Sequence, residues 1–173
     1  DLNRMAFTIF FATSTGKTED VADRLKELLP GTEAKDVDSI GGVDDLTSAE
    51  ALICCVPTWN TGADEARSGT AWDDLVQEIP DQDFAGKPVA ILGLGDSSGY
   101  SDFFCDAMEE LHSAFVSAGA KVIGKTATDG YTYDDSKSVI DGKFCGLPLD
   151  EDNESELTDQ RLNAWITQIQ SEA

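Results

Sequence analysis

The chain has 173 residues, a length that predicts a single domain over residues 1–173 with a core of its own. Its 34 acidic residues outnumber the 12 Lys and Arg residues and give a net charge of -22. This charge argues against nucleic-acid binding and against docking on an anionic membrane, and it favours partners with a basic face. The composition is 40% hydrophobic, too apolar for a disordered acidic chain, and the sequence contains no apolar run long enough to indicate membrane insertion.

Short apolar runs alternate with amphipathic segments along the chain. The runs predict strands that are mostly buried on both faces, as in a parallel sheet, at residues 5–12, 32–37, 49–56, 88–94 and 120–123. The spacing of apolar residues predicts helices at residues 18–29, 70–79, 102–118 and 158–169. Residues 125–146 break this rhythm, and we interpret them as an insertion in or after the fifth strand. The alternation predicts an α/β fold, a three-layer α/β/α sandwich whose ligands bind beyond the carboxyl ends of the strands.

The cysteines and the histidine carry no recognisable catalytic or metal-binding pattern. The four cysteines, Cys54, Cys55, Cys105 and Cys145, are interpreted as small buried hydrophobic residues of a protein in a reducing compartment, with a redox or metal role as the less favoured alternative. His112 has no partner at a spacing that suits nucleophilic or zinc chemistry. The sequence therefore predicts neither a catalytic residue nor a metal site.

Residues 13–18 (TSTGKT) join the first predicted strand to the first predicted helix. Four hydroxyls and a glycine lie where the helix presents free N–H groups, and this arrangement suits a phosphate. A hydroxyl-rich helix cap without a ligand is the alternative. The letters GKT also resemble the end of a nucleoside-triphosphate loop, but that motif needs a glycine where Phe11 stands. The loop predicts a monophosphate site.

Two aromatic residues follow the third and fourth predicted strands, Trp59 and Tyr100. Because these strand ends are expected to be adjacent, the two side chains could flank a flat ring, although packing in a loop is the alternative for Trp59. Asp96, between two glycines, could accept a hydrogen bond from a ring N–H. A single phosphate site beside a flat heterocycle suggests flavin mononucleotide (FMN) as the cofactor.

Several segments together resemble the flavodoxins, in particular the long-chain branch of cyanobacteria and algae. The segments are residues 13–18 (T-x-T-G-x-T), 57–60 (PTWN), 95–107 (G-D-x-x-G-Y-x-x-x-F-x-D-A) and 146–158 (GLPLDEDNESELT). The resemblance covers nearly the whole chain. It implies a five-stranded parallel sheet of order 2-1-3-4-5, with residues 125–146 as the insertion that distinguishes long-chain members.

The resemblance also implies how the chain would hold FMN. Trp59 would cover the inner face of the ring and Tyr100 the outer face, residues 60–62 would face the flavin N5 atom, and residues 94–96 would contact the pyrimidine end. The phosphate would be held mostly by backbone N–H groups. Three positions depart from residues common in the family, Ser97, Phe103 and Cys105. The implied cofactor-binding residues are Thr13, Ser14, Thr15, Gly16, Lys17, Thr18, Thr58, Trp59, Asn60, Thr61, Gly62, Leu94, Gly95, Asp96, Tyr100, Phe103 and Cys105.

The function implied by the resemblance is low-potential, one-electron transport by non-covalent FMN, which shuttles between semiquinone and hydroquinone. On reduction, the peptide between Asn60 and Thr61 would turn a carbonyl towards N5. We expect a monomeric carrier, not an enzyme, that replaces ferredoxin between photosystem I and ferredoxin-NADP reductase. The expected compartment is the chloroplast stroma of an alga or the bacterial cytoplasm.

Three alternatives stay open on the sequence. An FMN-dependent quinone or NAD(P)H oxidoreductase of the same fold would need a substrate pocket over the ring face that Tyr100 would block. A phosphoacceptor signalling module would need carboxylates after the first and third strands, where Thr13 and Pro57 stand. A P-loop nucleotidase is disfavoured by Phe11.

Overall fold

This computed structural model describes residues 5–173, which contain five α-helices and nine strands. The strands are β1 (Phe7–Phe11), β2 (Glu33–Asp36), β3 (Ala51–Pro57), β4 (Pro88–Leu94), β5 (Lys121–Ile123), β6 (Thr126–Ala127), β7 (Val139–Ile140), β8 (Lys143–Phe144) and β9 (Leu147–Leu149). The helices are α1 (Lys17–Leu28), α2 (Val43–Thr47), α3 (Trp72–Glu78), α4 (Ala107–Ser117) and α5 (Thr158–Glu172).

A parallel sheet of order β2-β1-β3-β4-β5 lies at the centre of the fold, which confirms the predicted three-layer architecture. Every residue of β3 and β4 is buried, because helices cover both faces of the sheet. Trp72 of α3 and Phe115 of α4 pack on one face, and Leu25 of α1 and Trp165 of α5 pack on the other. The two cores fix the strand ends from which the functional loops emerge.

The fifth position of the sheet is shared by two short strands. In β5, Ile123 pairs with Ala90 of β4, and in β9, Leu147 pairs with Leu92 of the same strand. The insertion therefore interrupts the fifth strand and does not follow it. β9 was not predicted, because its central residue is Pro148, and proline is tolerated in a sheet only at an edge such as this one.

The insertion forms its own small antiparallel sheet of order β6-β8-β7. Its strands β7 and β8 are Val139–Ile140 and Lys143–Phe144. Phe144 lies with its ring centroid 5.1 Å from that of Tyr131 and 6.1 Å from that of Phe104. This aromatic contact joins the insertion to the segment that precedes α4.

The helix predicted over residues 102–118 begins only at Ala107. Before it, Ser101–Phe103 form a short 3-10 turn, and Cys105 has a φ of 54°, which breaks the helical path. Phe104 and Cys105 are nevertheless buried, so their apolar character continues the helical spacing of α4 in the sequence. Periodicity alone therefore overextends the helix.

The burial of the cysteines is confirmed, since all four are free and buried. Burial raises the pKa of the Cys54 thiol well above its ordinary value, so this group stays protonated at neutral pH. None of the helices within residues 5–173 combines the length and the apolar character that crossing a bilayer requires.

Candidate cofactor-binding site

A cleft opens at the carboxyl ends of β1, β3 and β4, where the three predicted functional loops meet. It is lined by Lys17, Thr18, Pro57, Thr58, Trp59, Thr61, Leu94, Gly95, Asp96, Tyr100, Phe103, Glu151 and Asp152. Glu151 and Asp152 were not predicted as site residues. Their place in the acidic stretch after Gly146 looked like an ordinary solvent-exposed loop in the sequence.

One end of the cleft is the loop of residues 13–18 at the start of α1. The N–H of Gly16 donates to Thr13 Oγ1 at 2.9 Å, which closes the loop. Gly16 has a φ of 96°, a left-handed conformation that favours glycine, and α1 begins at the next residue. The free N–H groups of the first helical turn and the dipole of this 12-residue helix are features that favour an anion at this loop.

The cationic side chain of this loop is engaged elsewhere. Lys17 Nζ forms an ion pair with Asp152, and this hydrogen bond raises the pKa of Lys17. Carboxylate atoms of Asp96, Asp150 and Asp152 lie within 4.8 Å of one another beside it. An anion in the loop would therefore rely on backbone and hydroxyl donors, because Lys17 is already paired.

Two aromatic side chains stand at the other end of the cleft. Trp59 is 51% exposed and Tyr100 is 52% exposed, although both are large and mostly apolar. Such side chains are usually covered, and two at one cleft indicate a surface that a ligand completes. Phe103 follows Tyr100 on the same loop, and its ring is 3.5 Å from where a β-carbon on Gly62 would lie, so it contacts the loop that carries Trp59.

The Trp59 loop, residues 59–69, is closed by hydrogen bonds between its two arms. The N–H of Trp59 donates to the carbonyl of Ser68 at 3.2 Å, and the N–H of Asn60 donates to the main-chain carbonyl of Arg67 at 3.0 Å. The Asn60 side chain also donates to the carbonyl of Ala66 at 3.0 Å. The amide of Asn60 thus shapes the loop, while Thr61 at its tip lines the cleft.

The Tyr100 loop, residues 96–106, begins with a turn shaped by Asp96. Its Oδ1 accepts hydrogen bonds from the N–H of Gly99 at 2.8 Å, from that of Ser98 at 3.1 Å and from Asn153 Nδ2 at 2.8 Å. The bond from Gly99, followed by that from Asn153, lowers the pKa of Asp96. The carboxylate is therefore ionised at neutral pH, and one of its oxygens is already committed to the turn.

The insertion lies against the rest of this loop. The Ser136 hydroxyl donates to the carbonyl of Phe104 at 2.5 Å, and the Ser138 hydroxyl donates to that of Cys105 at 2.6 Å. Both serines are buried. The insertion therefore supports the Tyr100 loop through the main-chain carbonyls of Phe104 and Cys105. The sequence did not reveal this contact, because the two segments lie some thirty residues apart.

The comparisons with known proteins agree with this geometry. The family model for Flavodoxin matches residues 9–165. The chain belongs to the flavodoxin family. It is 43% identical over 166 residues to flavodoxin of Nostoc sp. (strain PCC 7120 / SAG 25.82 / UTEX 2576), with 95% of each protein covered. It is 38% identical over 172 residues to flavodoxin 1 of Escherichia coli (strain K12), with 97% of this chain and 95% of that protein covered.

Solved flavodoxin structures show the same fold. Fusobacterium nucleatum flavodoxin bound to flavin mononucleotide is 35% identical, with a TM-score of 0.88 over 97% of this chain and 98% of that one. Oxidised flavodoxin 1 from Bacillus cereus is 21% identical, with a TM-score of 0.63 over 93% and 95%. The family model and the cyanobacterial relative, 43% identical over 95% of this chain, confirm the long-chain resemblance.

Most of the predicted site residues line the cleft of this flavodoxin. Those that do not are Thr13, Ser14, Thr15, Gly16, Asn60, Gly62 and Cys105. Ser14 and Thr15 are exposed at the start of α1, where a bound anion would reach them. Cys105 is different: its side chain is fully buried and packs beneath Gly95, so the structure places this thiol below the cleft and not in it.

Proposed function

We propose that this flavodoxin carries single electrons at low potential on FMN bound in the cleft between Trp59 and Tyr100. One observation supports the proposal above the others: a single cleft joins the N-terminus of a helix to two half-exposed aromatic side chains. FMN has a phosphate and a flat ring at opposite ends, and these two features match the two ends of the cleft. Membership of the flavodoxin family supports both the cofactor and electron transfer.

Each part of the chain has a separate task in this proposal. Residues 13–18 hold the phosphate through N–H and hydroxyl groups, the two aromatic side chains cover the ring, and residues 60–62 meet its N5 edge. The flavin supplies the redox chemistry when it is bound. The protein binds and orients it and excludes water from the faces of the ring.

Negative charge around the cleft should lower the redox potential of the bound flavin. Asp64, Glu65 and Asp102 are exposed near the ring-flanking loops, and Asp96 lines the cleft. Charges beyond about 8 Å are largely screened in physiological salt, so these nearby carboxylates have the greatest influence. They disfavour a further negative charge on the ring, which lowers the potential of the second one-electron step.

The proposed partners are redox proteins with basic docking faces, specifically photosystem I as donor and ferredoxin-NADP reductase as acceptor. The net charge of -22 supports electrostatic steering towards such faces. Four buried free thiols support a reducing compartment, which we propose to be an algal chloroplast stroma or a bacterial cytoplasm. We propose that the carrier acts as a monomer.

The test begins with the cofactor and then turns to the partners. Apoprotein is titrated with FMN by fluorescence, and the holoprotein is then reduced stepwise in a spectroelectrochemical cell. We expect tight binding and two separate one-electron steps. Transfer from photosystem I particles to ferredoxin-NADP reductase should slow as salt rises. A single two-electron step, or rapid NAD(P)H oxidation with a quinone, would favour the oxidoreductase alternative.

A further inference from the structure

Arg67 carries a buried positive charge, and its side chain is only 10% exposed. Its guanidinium bonds to the Trp59 loop itself: Nε donates to the carbonyl of Ala63 at 3.2 Å, and Nη2 donates to that of Asp64 at 3.1 Å. The remaining nitrogen, Nη1, donates to the carbonyl of Asp106 at 3.2 Å and to Glu109 Oε1 at 3.0 Å. One side chain therefore ties the loop to the start of α4.

Glu110, on α4, completes this tie from the other side. Its carboxylate accepts hydrogen bonds from the N–H of Arg67 at 2.6 Å and from that of Ala66 at 3.1 Å. Ala66 has a φ of 54°, a left-handed conformation that is uncommon for residues other than glycine. The carboxylate thus holds a strained turn in place. We call Arg67 and Glu110 together the brace.

The brace fixes the arms of the loop and leaves its tip free. The arms are joined by the bond from the N–H of Asn60 to the carbonyl of Arg67, which is itself part of the brace. Within residues 5–173, the N–H groups of Thr61 and Gly62 donate to no protein acceptor. Thr61 lines the cleft, so this tip, whose N–H groups are not engaged within the protein, borders the space where a ring edge would lie.

We infer that Arg67 and Glu110 are positioning residues, which hold the tip of the Trp59 loop at the height where its polar groups meet the flavin edge. The inference rests on the proposed function. Reduction changes the charge and the protons at that edge, so the two redox forms bind unequally to the N–H and C=O groups of the tip. A displaced tip therefore changes both the affinity for FMN and the potential. Lysine cannot replace Arg67, because a single ammonium cannot reach carbonyls on both sides as the planar guanidinium does.

The test compares Arg67→Met with Arg161→Met. Arg161 is a matched control, because its side chain is 12% exposed and it also pairs with a glutamate, Glu154, at 3.3 Å. Its guanidinium packs over Tyr131 of the insertion, and it does not line the cleft. Arg67→Met should lose more global stability, because the Arg67 side chain donates four hydrogen bonds and that of Arg161 two, so the comparison uses the affinity for FMN and the potential of the folded proteins.

We expect Arg67→Met to raise the dissociation constant of FMN at least tenfold and to shift the first one-electron potential by about 59 mV or more. That shift corresponds to a tenfold change in the relative affinity for the two redox forms. Arg161→Met should leave the dissociation constant within twofold and the potential unchanged. Glu110→Gln, which keeps one acceptor oxygen, should give a smaller shift in both quantities and serves if Arg67→Met does not fold.

The outcomes separate the inference from the function on which it rests. If the wild-type protein binds FMN but neither brace variant differs from Arg161→Met in affinity or potential, the brace is merely structural and the inference is wrong. If the wild-type protein binds no FMN, the proposed function itself fails, and the inference fails with it.

Discussion

The two loops that flank the cleft present similar aromatic side chains but are held in place by different kinds of interaction. The Trp59 loop is fixed by charged groups, the guanidinium of Arg67 and the carboxylate of Glu110. The Tyr100 loop begins with a turn around the carboxylate of Asp96, but its attachment to the insertion uses neutral hydroxyl groups, such as that of Ser138. In both loops the residue exposed to the ligand is specified locally, while its position is specified from a distant part of the chain.

The two supports meet at a single residue. The main-chain carbonyl of Asp106 accepts a hydrogen bond from Arg67, and its carboxylate accepts one from the N–H of Lys137 in the insertion at 2.8 Å. The start of α4 is therefore a common foundation for both loops. A change in the insertion should affect the Tyr100 loop first and reach the Trp59 loop through Asp106 and through the packing of Phe103 on Gly62.

The largest effect is expected where the insertion returns to the sheet. A β-carbon at Gly146 would lie 2.0 Å from the carbonyl oxygen of Ile91, so Gly146→Ala must displace the backbone of β4. We expect it to cost about 3 kcal/mol or more of unfolding free energy, measured in urea. Gly41→Ala is the control, because its nearest neighbour would be an Asp45 oxygen at 3.5 Å. Equal stability of the two variants would contradict the packing argument.

A smaller loss is expected from the neutral support alone. Ser138→Ala removes the hydroxyl donor to the buried carbonyl of Cys105, which keeps the N–H of Met108 as a donor, so the loss should be about 1.5 kcal/mol. Ser171→Ala removes a similar bond, to the carbonyl of Gln168, at an exposed position and should cost almost nothing. Urea denaturation in low and high salt measures both. A loss that shrinks as ionic strength rises would show that charged groups contribute to this support, because salt screens them.

The shared residue Asp106 should make the free energy of unfolding depend on pH. Burial raises the pKa of Asp106 above its ordinary value, so the folded state binds the proton more tightly than the unfolded state. Stability therefore falls as the pH rises from about 3.8 through the raised value, and the penalty is complete at neutral pH. Asp106→Asn should be more stable than the wild type at pH 7, and this advantage should vanish in acid. Parallel stability curves at every pH would refute this assignment.

The smallest effect is expected at the loop of residues 13–18, the proposed phosphate site, which depends on neither support. Thr13→Val removes the acceptor for the N–H of Gly16, and a single neutral hydrogen bond of about 1 kcal/mol corresponds to roughly fivefold weaker FMN binding. Thr13→Ser keeps the hydroxyl and should bind normally. Riboflavin, which lacks the phosphate, should bind both variants and the wild type alike. Equal weakening for FMN and riboflavin would mean that the loop acts on the ring and not on the phosphate.

The parts that could be predicted from the sequence are those in which neighbouring residues determine the structure. The runs that became β1, β3 and β4 are apolar on both faces, which only a covered parallel strand explains well. The hydroxyl-rich loop before α1 was likewise predicted from six adjacent letters. Because parallel strands bring their carboxyl ends to one edge, the meeting of three loops at one cleft also followed.

What could not be predicted depends on pairing across long separations. Arg67 lies 43 residues before Glu110, and in the sequence it is only a loop arginine among acidic neighbours. β9 was missed because Pro148 argues against a strand unless its place at the sheet edge is known. The early start predicted for α4 failed because Cys105 turns left-handed at a position where apolar spacing continues.

The split fifth strand has an evolutionary consequence. Ile123 and Leu147 pair with positions of β4 only two residues apart, which is about 7 Å along a strand. A module whose ends are so close together can be gained or lost in a single genetic event without reordering the sheet. The junction between β5 and β9 is thus a site that tolerates insertions, and a foreign peptide could be grafted there.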